Sequence, residues 1–133
     1  MYKKNTPVTT FRYYFNGSDY FPVIPMVFLV GEKRIRSQAL VDSGATISIF
    51  GEETANSLGI GIETGRKTIL GGVGGRIAGY IHNMKVRIAG KEFLCPVVFS
   101  REYTVSFNLL GREAFFRAFR ITFEEGKSQV ILE

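Results

Sequence analysis

The chain has one cysteine, one histidine and no tryptophan. Cys95 alone cannot close an internal disulfide. That excludes a disulfide-stapled secreted fold and makes a reducing, cytoplasmic setting the expectation. Cys95 and His82 together are too few ligands for a zinc site. No apolar run approaches the ~20 residues that a membrane-spanning helix needs. Met1–Phe11 carries Lys3 and Lys4 but no apolar stretch behind them, so a secretory signal is not expected there. The net charge is +5, yet the basic residues are scattered and form no arm of the kind that binds nucleic acid. Solvated faces are the simpler reading of that charge. Neither nucleic acid nor membrane is an expected partner.

Glycine is plentiful, with 15 residues, and β-branched and aromatic residues are frequent. That mixture favours short strands and tight turns. A length of 133 residues suits one domain spanning 1–133. Residues 1–20, polar and aromatic with a turn signal at Asn16-Gly17, read as a loose N-terminal arm or an edge strand. Residues 23–30 and 34–41 read as a hairpin around Gly31-Glu32-Lys33, and 47–50 as a short strand. Residues 52–58, with acids in the first turn and Gly59 just beyond, read as a short helix. Strands follow over 66–80 (broken by a glycine turn), 84–89, 92–99 and 105–110. Residues 112–118 read as a second short helix, and 119–133 as a C-terminal hairpin around Glu125-Gly126-Lys127. Many strands, two short helices and no βαβ alternation predict an all-β fold, a closed antiparallel β-barrel.

Two stretches carry possible chemistry. In "ALVDSGATIS", residues 39–48, an apolar strand runs into Asp42-Ser43-Gly44. Asp-Ser-Gly is good turn chemistry by itself, with the aspartate bonding nearby backbone N–H groups. Such a triplet arises by chance in roughly one chain in twenty of this length. The alternative is an acid–base carboxylate. Gly44 would aim Asp42 into a cleft, Ser43 would supply a hydroxyl to hold the loop, and Ala45 would leave room for a substrate backbone or a second chain. The other stretch, "TILGGVGGRIAGY" (68–80), fails as a dinucleotide fingerprint, since Ile77 stands where the third glycine is required and no helix follows. A glycine hairpin with the apolar Val73 at its tip can instead bend and approach a ligand backbone closely.

Three motifs in order, "ALVDSGA" (39–45), "ILGGVGG" (69–75) and "NLLGRE" (108–113), together resemble the retropepsin family of aspartic proteases. The resemblance covers about residues 22–120. It implies a barrel of the retropepsin type with one lobe per chain. It also implies an aspartic endopeptidase whose second carboxylate is Asp42 of an identical chain, hence a homodimer acting on an extended peptide or protein, with no metal or cofactor. The catalytic loop would be Asp42, Ser43 and Gly44. Substrate would meet Val41, Ala45, Thr46 and Ile47, the flap residues Leu70, Gly71, Gly72, Val73 and Gly74, and Phe107 and Leu109. Gly111 and Arg112 would support the loop from behind. The chain departs from the family at Thr46, where viral members tend to carry an acid that pairs with the arginine matching Arg112. It departs again at Arg76, where a large apolar residue is usual, and in the hairpin 119–133. A non-catalytic retropepsin-like dimerisation or peptide-binding module is the alternative reading. His82 is expected on a strand and partly exposed, Cys95 as an inert core thiol, and Phe115, Phe116 and Phe119 in the core.

Overall fold

The computed structural model describes residues 7–72 and 75–133. Among these residues twelve strands form in chain order: β1 (Thr9–Arg12), β2 (Tyr14–Phe15), β3 (Tyr20–Phe21), β4 (Val23–Val30), β5 (Lys33–Val41), β6 (Ser48–Gly51), β7 (Arg66–Gly72), β8 (Gly75–Ile88), β9 (Lys91–Ser100), β10 (Leu109–Leu110), β11 (Ile121–Glu124) and β12 (Gln129–Leu132). One regular helix, α1 (Glu52–Leu58), lies between β6 and β7 and closes on Gly59 at φ 71°, the left-handed geometry a C-terminal glycine adopts. It buries Ala55 and Leu58 and leaves its acids outside.

The expected closed antiparallel β-barrel does not form. The main sheet has seven strands in the order β4-β5-β10-β6-β9-β8-β7, is mixed, and is not closed into a barrel. Its β5–β10 and β6–β9 junctions are parallel. It ends on β7, which pairs with β8 alone, while β4 and β8 meet over only Val27–Leu29 and Lys85–Arg87. A separate three-stranded sheet, β1-β12-β11, and the small β2–β3 hairpin complete the strands. The departure has a simple cause. Hairpins between sequence neighbours are antiparallel, and those are visible in the sequence. Parallel neighbours need a long crossover, and Leu109–Leu110 reaches β5 only after most of the chain has intervened.

One of two alternatives is settled, and two expectations change. Within residues 1–20, Thr9–Arg12 is an edge strand paired in register with Gln129–Leu132. Residues 84–89 do not start a new strand, because β8 runs unbroken through them to Ile88. Arg112–Phe116 is a kinked helical segment, with Glu113 extended (φ −66°, ψ 126°) and Ala114 at φ 64°. A positive φ costs an alanine about 1–3 kcal/mol. The kink follows from hydrogen bonding described below, which draws this backbone toward the Asp42 loop.

The core is aromatic at its centre. Phe28, Phe50 and Phe99 are fully buried, with ring centroids 5.2, 6.4 and 6.2 Å apart in the three pairings. Phe115 is buried too, while Phe116 and Phe119 pack against the core from its margin. Cys95 is buried on β9, and loss of hydration pushes its thiol up to about 11. His82 is partly buried on β8, and its Nε2 lies 2.8 Å from the Ile62 carbonyl. No helix among the described residues is long and apolar enough to cross a membrane.

Tyr13 joins the small hairpin to the three-stranded sheet. It is buried, its hydroxyl donates to Glu125 Oε1 (2.9 Å), and its N–H donates to the Ser128 carbonyl (2.8 Å). Burial first, then the Glu125 carboxylate, push the phenol from 10.0 to about 12. The folded state thus prefers the protonated ring, and that stabilisation is complete below about pH 10 and lost as pH rises through about 12. Urea midpoints should therefore fall over that interval, and the Tyr13→Phe variant should show a shallower fall. An equally steep decline in both proteins would remove Tyr13 from the account.

Candidate active site

β5 ends with Ala39 and Val41 turned into the core, so alternation brings the next residue, Asp42, to the boundary of the protein, half-buried. A carboxylate there keeps contact with water and avoids the cost of full burial. The loop that follows is bonded internally. The Gly44 N–H donates to Asp42 Oδ1 (2.8 Å), and the Ala45 N–H donates to the Asp42 carbonyl (3.2 Å). The first bond fixes the orientation of the carboxylate. A Cβ on Gly44 would lie 3.2 Å from the same oxygen. Among the described residues, this is the only hydrogen bond made by the Asp42 side chain.

A second segment clamps the loop from behind. The Asp42 N–H donates to the Leu110 carbonyl (3.0 Å), the Arg112 N–H to Ala45 (2.8 Å) and the Glu113 N–H to Thr46 (2.9 Å). The Gly111 N–H donates to Oγ of the fully buried Ser48 (3.0 Å). Gly111 sits so close that an added Cβ would meet the carbonyl carbon and oxygen of Ile47 at 2.6 Å and the Ala45 oxygen at 2.8 Å. Its φ of −97° suits any residue, so space alone requires glycine here. Asn108 completes the clamp: its Oδ1 accepts from the Gly51 N–H (3.1 Å) and its Nδ2 donates to the Gln38 carbonyl (3.3 Å).

The other expected site residues are distributed unevenly. Ser43, Gly44 and Thr46 are exposed, and Ala45 and Ile47 are half-buried on the same loop. Phe107 and Leu109 are half-buried on the segment leading into and through β10. Val41 is 3% exposed and belongs to the core cluster, so it offers no open wall. Thr46 and Arg112 line one recess together with Glu113, Phe116 and Arg117. Leu70, Gly71 and Gly72 lie on β7, whose pairing with β8 continues to Gly72 opposite Gly75. Val73 and Gly74 lie outside the described residues.

The β7–β8 hairpin is anchored at its base and free beyond it. A Cβ on Gly79 would meet Val98 Cγ1 at 2.5 Å, whereas at Gly71, Gly72 and Gly75 it would meet nothing within 4 Å. Ser100 Oγ donates to the Ala78 carbonyl (2.5 Å), and the Ala78 N–H donates to Glu102 Oε1 (3.1 Å). The first bond ties the hairpin to the end of β9 and the second to the 101–108 segment. Tyr103, on that segment, went unremarked in the sequence. Burial first, and the negative charge of Asp42 second, push its phenol up to about 12. It therefore stays protonated near the carboxylate and donates to the Phe107 carbonyl (2.5 Å). A single tyrosine in a polar loop gives no sequence signal. Ser48 did give one, as a lone hydroxyl inside an apolar strand.

An aspartyl protease family model matches residues 19–122. The chain belongs to that family. Its fold is of the retropepsin-like type: it is similar to the EIAV protease complexed with the inhibitor HBY-793, with a TM-score of 0.56 and 22% identity over 74% of this chain and 88% of that one. No curated protein sequence matches. Membership of the family is consistent with peptide-bond hydrolysis as the class of chemistry.

Gly111→Ala should cost about 1–3 kcal/mol by overpacking against backbone that cannot step aside. Ser48→Ala should cost a similar amount by leaving the buried Gly111 N–H without an acceptor. Chemical denaturation of the two variants reads both values, and wild-type stability in either would contradict the packing described.

Proposed function

We propose that this chain is one half of a homodimeric aspartic endopeptidase, with residues 1–133 forming a single lobe. The observation that carries the reading is the Asp42 carboxylate, held by Gly44 in a clamped loop at the protein boundary. Only one Asp-Ser-Gly occurs in the sequence, so the second carboxylate would be Asp42 of an identical chain across a two-fold axis.

Two carboxylates at short range cannot both ionise and share one proton, a rule for which aspartic proteases are the standing example. The ionised one takes a proton from a water held between them, and the water oxygen bonds to the scissile carbonyl carbon. The protonated one gives its proton to the carbonyl oxygen. Collapse of the tetrahedral species breaks the C–N bond, with a proton delivered to the leaving amine. Ser43 and Gly44 keep the loop in place. Thr46, Ala45 and Ile47 meet the substrate from below, with Phe107 and Leu109 beside them. The β7–β8 hairpin is the flap. Its glycines Gly71 and Gly72 let the flap bend over an extended peptide and bond its main chain in β fashion, with Leu70 as a pocket wall. Thr46 in place of an acid, with the apolar Ile47 beside it, favours apolar side chains around the cut.

Activity should be bell-shaped in pH, since the pair must hold one proton. Asp42→Asn should abolish cleavage of a mixed peptide library while leaving the folded dimer intact. Mixing wild-type and Asp42→Asn chains in equal amounts should leave about one quarter of the dimers active, the share with two aspartates. Activity falling only to half would mean that each chain works alone. Cutting by Asp42→Asn at the wild-type rate would remove the carboxylate from the mechanism. A folded dimer that cuts nothing at any pH would leave a peptide-binding module.

A further inference from the structure

Basic residues that are scattered along the sequence are gathered by the sheet. The registers of β5 with β4, β4 with β8 and β8 with β9 set Arg34, Leu29, Lys85 and Leu94 in one row across four strands. Two residues along, Arg36, Val27, Arg87 and Glu92 form the next row. Paired residues share a face of a sheet, and so do residues two apart on one strand. Phe28 and Val86, between the two rows, are fully buried, so the rows themselves lie on the outer face. Arg34, Arg36 and Lys85 are exposed there, and Arg87 is half-buried. These four cations face the single carboxylate of Glu92, while Glu32 and Lys33 at the β4–β5 turn offset each other.

Glu92 shows what this face holds. Arg87 Nε donates to its Oε2 (3.0 Å), and Lys85 Nζ lies 3.7 Å from Oε1. The Arg87 bond holds the Glu92 carboxyl below its usual range, and the charges of Lys85 and Arg34 act in the same direction. Arg34 and Arg36 make no ion pair among the described residues. They also stand on an open edge. β5 pairs with β4 on one side, but on the other side β10 reaches only Leu40 and Val41. Asn108 adds a bond to the Gln38 carbonyl (3.3 Å). Lys33–Ser37 therefore has no strand along its outer edge among the described residues.

We propose that this edge docks an acidic, extended segment of a protein partner, added as a strand beside Lys33–Ser37. Main-chain groups on a sheet edge can be paired by a peptide and not by a phosphate backbone or a lipid. In such a strand alternate side chains face the same way, so acids two residues apart meet Arg34 and Arg36 together. The two rows carry no aromatic ring on which a base could stack. A second copy of this chain is the wrong partner, since its own β5 edge would bring the same arginines opposite. Arg36 lies six residues before Asp42, roughly 20 Å along the strand. The docked segment is thus separate from the candidate active site, and the proposal stands whether or not Asp42 cuts.

The test is fluorescence anisotropy of a labelled peptide alternating glutamate with valine, titrated with Asp42→Asn protein so that the probe stays whole. Arg34→Gln with Arg36→Gln should weaken binding by on the order of tenfold at low salt. Lysine at both positions should keep most of it. Glu92→Gln should tighten it by freeing Arg87 and Lys85, a gain that a misfolded variant could not give. Unchanged binding in the glutamine pair overturns the proposal. So does equal binding of an N-methylated peptide, which cannot pair with a strand edge. Tighter, arginine-dependent binding of a thymidine oligonucleotide or of phosphatidylserine vesicles would overturn it in favour of nucleic acid or membrane. A wild type that cuts nothing would sink the protease reading and leave this one in place.

Discussion

Gly111 packs against the backbone of Ala45 and Ile47 at a distance that only a missing side chain permits. Everything near Asp42 depends on that approach. It brings the Arg112 and Glu113 N–H groups onto the carbonyls of Ala45 and Thr46, and the Leu110 carbonyl onto the Asp42 N–H. A loop of Asp-Ser-Gly-Ala would otherwise be free to sample several turns. Here its backbone is bonded at Asp42, Ala45 and Thr46 to a segment about 70 residues further on. The penalty appears in the same place. Glu113, whose N–H serves the loop, leaves helical geometry together with its neighbour Ala114, which carries a positive φ.

The same clamp explains why the sheet is mixed. Leu109 and Leu110 lie parallel to β5 and, through Leu109, antiparallel to β6, so two strands separated by the Asp42 loop are joined by a third from far along the chain. Asn108 continues the junction with side-chain bonds to Gly51 and Gln38. Position along the chain, and not sequence neighbourhood, decides that topology.

What could be read from the sequence divides along that line. Local features were legible: the β4–β5 turn at Gly31, the α1 stop at Gly59 and the β11–β12 hairpin, each governed by residues within a few positions. The Asp42 loop, the glycine hairpin and Gly111-Arg112 were found as motifs, and the structure joins the first to the third through backbone bonds. The closed antiparallel barrel was wrong because hairpin counting cannot see a two-residue strand arriving in parallel. Val41 as a groove wall overlooked alternation: if Asp42 faces outward, its neighbour faces the core. Tyr103 was invisible, because its closeness to Asp42 depends on the path of a loop with no periodicity.

The three-stranded sheet β1-β12-β11 pairs the first and last strands within one molecule. Each lobe therefore satisfies these strands without borrowing hydrogen bonds from a neighbour. If the chain pairs as proposed, dilution would part the two halves and silence the enzyme while leaving this sheet intact.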